Sequence, residues 1–266
     1  MERKIQMKNS GMTKGSMTRL VSPRHGGEWI KPFVLLDYLE GEAQQAESFT
    51  FHSHSGIATL TYPLQGKIEY EESMGELGYV EAEGIEWMLS GGGSWHRSHF
   101  VGEGKVALFQ LWIALPPKIE DGESMSLLIS PEDIPREGPV RVLLGSYGEE
   151  RSQIGSPSPI NYFSISLSDK ERWMYQPPAD HQVAWVFAYQ GSLKTSGSVL
   201  TRELAIYEEG GGALQFEADG ETRFLLGTAV KHEYPLVVGI DTIHTNEKSM
   251  ILAAERKERL GKALRG

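Results

Sequence analysis

Apolar residues fall in short runs separated by glycine-rich turns, and few of the runs carry a helical period. The clearest are 57–62 (IATLTY), 67–72 (KIEYEE), 106–115 (VALFQLWIAL), 161–167 (NYFSISL), 183–189 (VAWVFAY) and 223–230 (RFLLGTAV). Many short strands with frequent turn signals predict an all-β sandwich or barrel. Only the end of the chain departs from this. Residues 246–264 (NEKSMILAAERKERLGKAL) predict a helix capped by Thr245 or Asn246, with Met250, Ala253, Ala254, Leu260 and Leu264 as its apolar stripe.

The pattern repeats. A Gln-Gly pair ends at Gly66 and again at Gly191, and a triple glycine begins at Gly91 and again at Gly210, offsets of 125 and 119 residues. Near-equal offsets imply one β unit used twice. Residues 115–139, rich in Pro, Gly and charge, read as the connection. The expected architecture is two tandem antiparallel β-barrels, 1–135 and 136–266, with the short helix at the end of the second. In a strand the side chains alternate, so His52, His54, Gly56, Ala58, Leu60 and Tyr62 would share one face, and Thr59 and Thr61 the other.

Composition narrows the chemistry. The 266 residues include no cysteine, which excludes disulfides and thiolate catalysis and leaves His, Asp and Glu as metal ligands. The net charge of −10 argues against a nucleic-acid surface. No apolar run approaches the ~18 residues of a membrane span, and the basic N-terminal stretch lacks the apolar block of a secretory leader. A soluble, cytoplasmic, monomeric protein is expected.

Four of the eight histidines lie in two windows, FHSHSG (51–56) and GGGSWHRSHF (91–100). An H-x-H pair on one strand with a third histidine on a later one can gather three imidazoles around an ion. Imidazole alone does not choose among iron, copper, nickel and zinc. His99 would face away from His96 unless the strand bulges. His181 and His232, isolated in sequence, are expected to be structural or exposed. Trp87, Trp95 and Trp112 are expected to pack, and Gly91, Gly92 and Gly93 to serve a turn needing positive φ.

Several stretches resemble the pirin family of the cupin superfamily: PFVLLDYLEG (32–41), HSHSGIATLTYPLQGKIEYEESMGELGYV (52–80), GIEWMLSGGGSWH (84–96), LFQLWIALPPK (108–118) and, more loosely, TNEKSMILAAERKERLGK (245–262). The 52–80 stretch is similar to the family run H-P-H-x-G-x-x-T-x-T-Y-x-x-x-G-x-x-x-x-x-D-S-x-G. The resemblance implies a bicupin with a metal site in the first barrel only. Its ligands would be His52, His54 and His96, with a glutamate two residues after the third histidine, where this chain has Ser98. Water could fill the vacant position, and His99 is a weaker substitute. The counterparts in the second half are Pro177, Ala179 and Gln215, which form no ligand set.

The implied cofactor is one divalent ion, iron first, with nickel, copper, manganese or zinc as alternatives. The implied activity is that of quercetin 2,3-dioxygenase-like pirins, acting on a flavonol-like aromatic and O₂. No catalytic base is identified, because in such cupins the ligand carboxylate fills that role. The alternatives are a non-enzymatic regulatory protein that binds a protein partner, and a barrel whose metal site has decayed.

Overall fold

The structure, a computed structural model, describes residues 3–264 apart from 45, 47, 48, 74 and 76. It divides into two compact units: Thr13–Asp133 with His232–Gly266, and Met1–Met12 with Ile134–Lys231. Each β-barrel takes a terminal segment from the opposite end of the chain. A single cut after residue 135, with the helix in the second half, therefore does not separate them. Strand Ile5–Asn9 pairs with Leu204–Tyr207 in the second unit, while helix Glu247–Ala263 lies on the first, where Trp95 Nε1 donates to the carbonyl of Lys257 at 2.8 Å.

The first unit faces a four-stranded sheet towards a seven-stranded one. The smaller sheet runs Phe49–His54, Ser94–Val101, Lys67–Glu72 and Leu77–Val80. The larger runs Met125–Ile129, Ile85–Leu89, Ile57–Gln65, Lys105–Ala114, Phe33–Glu42, Met17–Val21 and Met12–Lys14. Strand Ile57–Gln65 is buried on both faces as far as Pro63, including its two threonines, Thr59 and Thr61. Leu39, Ile68, Val80, Val106 and Leu108 fill one part of the interior from both sheets.

Gly56 joins the two sheets. Its φ is +69°, and a Cβ there would sit 1.9 Å from the carbonyl oxygen of Ile243. No other residue fits that bend. Because the chain changes sheet here, alternation does not run through from His54 to Tyr62. Thr59 and Thr61 pair with Trp112 and Gln110 on the inner face, and Ala58, Leu60 and Tyr62 face outwards. Unbroken alternation from His54 predicts the threonines on the opposite side.

Two further expectations change. The 115–139 connection is largely part of the first unit, contributing strand Met125–Ile129 and the buried Glu120. The helix is capped by Asn246, whose side chain accepts from Ser249 N at 2.9 Å. Its buried residues are Ser249, Ala253 and Gly261, while Leu264 is exposed. Gly261 is there because a Cβ would meet the Trp95 ring at 2.7 Å. Gly91 and Gly93 do take positive φ, +49° and +144°.

The second unit is built on one large sheet around the long strands Val183–Thr195 and Leu214–Ala229. Its interior is apolar, with Phe163, Trp173, Tyr175, Phe216 and Phe224 in mutual ring contact. His181 and His232, one in each unit, are both buried; the former faces Thr228 Oγ1 at 3.0 Å. Among the described residues no helix is long and apolar enough to cross a membrane.

Candidate metal centre

Strand pairing brings the histidines together. In the small sheet His96 lies directly opposite His52, and Ser94 opposite His54. Side chains of opposed residues project to the same face. The ring centroids are 4.4 Å (His52–His96), 4.8 Å (His52–His54) and 5.0 Å (His54–His96) apart, and one ligand nitrogen from each falls within 4.8 Å of the others.

Two of the rings are oriented by carbonyl oxygens, which can only accept. His52 Nδ1 donates to Thr50 O at 2.7 Å, and His54 Nδ1 donates to Asp241 O at 2.9 Å. Both protons are thus fixed on Nδ1, leaving the Nε2 lone pairs directed inwards. His96 Nε2 lies 3.0 Å from His52 Nε2. Burial, reinforced by His52, pushes His54 down to about 3, and burial with His54 and His52 holds His96 well below the ordinary imidazole value. These two rings are neutral near pH 7, as ligands must be. The buried His54 Nε2 has no protein partner. The donor set suits a divalent cation.

Ser98 stands one step along the strand from His96, half-buried, and adds no charge. The strand slips register against Phe49–His54 between His96 and Ser98, yet its pairing to Lys67–Glu72 is continuous. His99 therefore stays on the outer face, with Nε2 3.7 Å from Glu69. Glu72, opposite His96, is buried on the inner side, and its Oε2 accepts a long hydrogen bond from Ser94 Oγ at 3.4 Å. It stands where the family run has aspartate, a difference visible in the sequence.

A cavity of about 530 Å³ opens from His52 and His54, within the roughly 300–1,000 Å³ typical of small-molecule sites. Met17, Leu35, Trp112 and Ile240 form its apolar wall; Gln110 and Asp37 supply polar groups. Arg19 holds Asp37 in a two-pronged pair at 2.9 and 2.8 Å. Trp112, expected to serve only as packing, stands edge-on to His54 with centroids 4.9 Å apart. Trp87 is core and Trp95 packs on the helix, as expected.

The far end of the chain closes this wall. Thr242 Oγ1 and Ile243 N both donate to Ser55 O, at 2.8 and 3.2 Å. His244 Nε2 meets Ser55 Oγ at 3.1 Å, and its Nδ1 lies 3.4 Å from Glu120. Glu120 in turn accepts from Thr245 N and Oγ1, both at 2.6 Å. This clasp fixes the carbonyl that orients His54. No local motif announces it, since its partners lie 125–189 residues apart.

The comparisons with known proteins bear on the fold and the family. A family model described as Pirin matches residues 15–113. A Pseudomonas aeruginosa protein named "Putative quercetin 2,3-dioxygenase PA3240" is 31% identical over 228 residues, covering 79% of each chain. The crystal structure of a quercetin 2,3-dioxygenase from Acinetobacter baumannii superposes with a TM-score of 0.85 at 22% identity, over 96% of both chains. That of the bacterial pirin YhhW from Escherichia coli in complex with nickel(II) gives 0.68 at 21% identity, over 86% of this chain and 98% of that one. The architecture is that of the bicupins.

Proposed function

The chain belongs to the pirin family, and from that premise we propose that it is a metal-dependent dioxygenase of flavonol-like aromatic compounds, with one divalent ion, iron first, held by His52, His54 and His96. The observation that carries this reading is the convergence of three imidazole nitrogens, two of them with tautomers fixed by carbonyls and on residues lining a small-molecule-sized cavity. When bound, the ion would supply the chemistry that brings substrate oxygen and O₂ together.

The protein's own residues do the rest. Trp112, Leu35 and Met17 offer apolar surface to a flat aromatic ring system, and Gln110 offers a hydrogen-bonding amide. The segment 238–243 lines one side of the cavity. Ser98 leaves the site one negative charge poorer than a three-histidine, one-glutamate set. Nickel is the first alternative to iron, as the YhhW structure contains nickel(II).

Ser98 also favours a second reading, a non-enzymatic pirin that uses its site to govern binding of a protein partner. Metal content of protein purified without a His-tag, beside His54→Ala, separates the readings, followed by oxygen uptake with flavonols. Near-stoichiometric metal, lost in the variant, together with flavonol-dependent oxygen uptake supports the dioxygenase. Metal without uptake favours the regulator, and an empty wild-type site defeats both. A cytoplasmic monomer is part of the same proposal, to be checked by fractionation and sedimentation.

A further inference from the structure

Five buried polar atoms in the first unit have no protein partner and share one interior: His54 Nε2, His96 Nδ1, Thr59 Oγ1, Trp112 Nε1 and Glu86 Oε1. Register places them there. Thr59 is opposite Trp112 and Met88, while Thr61 is opposite Gln110 and Glu86. Gln110 is in turn opposite Asp37, and Asp37 opposite Arg19. Opposed residues share a face. One row thus crosses five strands, from Arg19 and Asp37 at the cavity, through Gln110 and Thr61, to Glu86 at its inner end. Glu86 is 3% exposed, and Thr61 Oγ1 donates to its Oε2 at 2.5 Å.

We propose that Glu86 is the proton acceptor of the metal chamber, reached from the cavity through ordered water held by Thr59, Thr61 and Gln110. The substrate in this proposal rests on the dioxygenase reading. In the step, the O–H bond of an enolic or phenolic hydroxyl breaks and its electron pair stays on the oxygen. The proton passes to water, and a water proton passes to Glu86 Oε1, giving a neutral carboxylic acid. No electron changes hands. A carboxyl inside the chamber thus does the work that the glutamate missing at Ser98 would otherwise do.

The physical setting suits the task. Burial pushes Glu86 up to about 7, against the hydrogen bond from Thr61, which lowers it. A base is most effective when its pKa lies near the working pH. Buried polar groups without protein partners are where structural waters sit. Around Glu86 stand Thr61 and Gln110 of its own row, Leu128 opposite it on the edge strand, and Tyr70 and Glu72 on the opposed sheet. Tyr70 OH is engaged with Ser126 Oγ and Asp37 with Arg19, which leaves Glu72 as the rival carboxylate.

The test is infrared difference spectroscopy of the carboxylic-acid carbonyl band, read across pH on wild type, Glu86→Gln, Glu72→Gln and Thr61→Val. The band should vanish in Glu86→Gln, persist in Glu72→Gln and titrate at higher pH in Thr61→Val. Loading with zinc, which reads charge without redox, should move its midpoint down by at least one pH unit. Binding a flavonol as its anion should restore the band at neutral pH. In Glu86→Gln the midpoint for anion formation should rise by at least one unit, and turnover should fall about 10²-fold.

A band that follows Glu72, or that ignores zinc, overturns the proposal. So does a flavonol anion that forms equally well in Glu86→Gln. A flavonol that is neither bound nor oxidised by wild type, with the zinc-coupled band intact, overturns the substrate reading and leaves the coupling of Glu86 to the ion supported.

Discussion

The two units are both built of antiparallel strands and differ in what fills them. In the second unit Trp173, Tyr175, Phe216 and Phe224 occupy the interior, and the polar atoms of His181 and Asn161 are tied to Thr228 and Tyr175. In the first unit histidines, threonines, the half-buried Gln110 and the buried Glu72 and Glu86 share the interior with the apolar residues. Aromatic side chains give the second barrel a large apolar payload and close packing. The first barrel gives up part of that and keeps a chamber. A bicupin can thus divide its labour, with one interior filled by aromatic rings and the other lined by clustered imidazoles and polar groups beside a cavity.

The strongest way to break this contrast is to remove a ligand. His54→Ala or His96→Ala should lower metal affinity by more than about 10²-fold, beyond the 10–100-fold typical of outer-shell changes, as read by competition with a metal indicator. Gly56→Ala comes next. Its methyl would collide with the Ile243 carbonyl at a positive φ, so thermal unfolding should show a loss of about 3 kcal/mol or more.

The charges of the interior sharpen the comparison through pH. Glu86 is raised from 4.5 to about 7, so its native form holds more protons than the unfolded chain between those values, and stability falls as pH rises through that window. The loss is about 3 kcal/mol at full ionisation. His54 is lowered from 6.5 to about 3, so its contribution is complete above 6.5 and fades as pH falls towards 3. Metal-free protein should therefore lose stability on both sides of mildly acidic pH, and Glu86→Gln should abolish the alkaline decline. Denaturant midpoints at several pH values measure both arms.

Ser98→Glu should tighten divalent-ion binding about tenfold, by returning a carboxylate beside His96. The smallest expected effect is none. Placing histidines at Pro177, Ala179 and Gln215 should create no metal site in the second unit, because Gln215 pairs with the exposed Met174 at the strand surface. Stoichiometric metal bound there would show that ligand type alone, without an open interior, makes the centre.

The sequence revealed the β-rich fold, the duplication and the three histidines, because strand periodicity and an H-x-H pair are local signals. The face assignment of Thr59 and Thr61 was misread at Gly56, where the strand passes from one sheet to the other. Glu86 sits in an apolar run, GIEWML, and its lone acid became meaningful only once register placed it inside. The exchange of terminal segments was invisible, since pairings such as Ile5–Asn9 with Leu204–Tyr207 depend on contacts almost 200 residues apart in the chain.

The bond between His54 and the Asp241 carbonyl spans 187 residues. During synthesis at about 5–20 residues per second, the histidines emerge ~10–40 s before the carbonyl that sets one of their tautomers. A nascent chain therefore carries all three imidazoles before the carbonyl that orients one of them, and the three-histidine cluster takes its full form only when the tail returns.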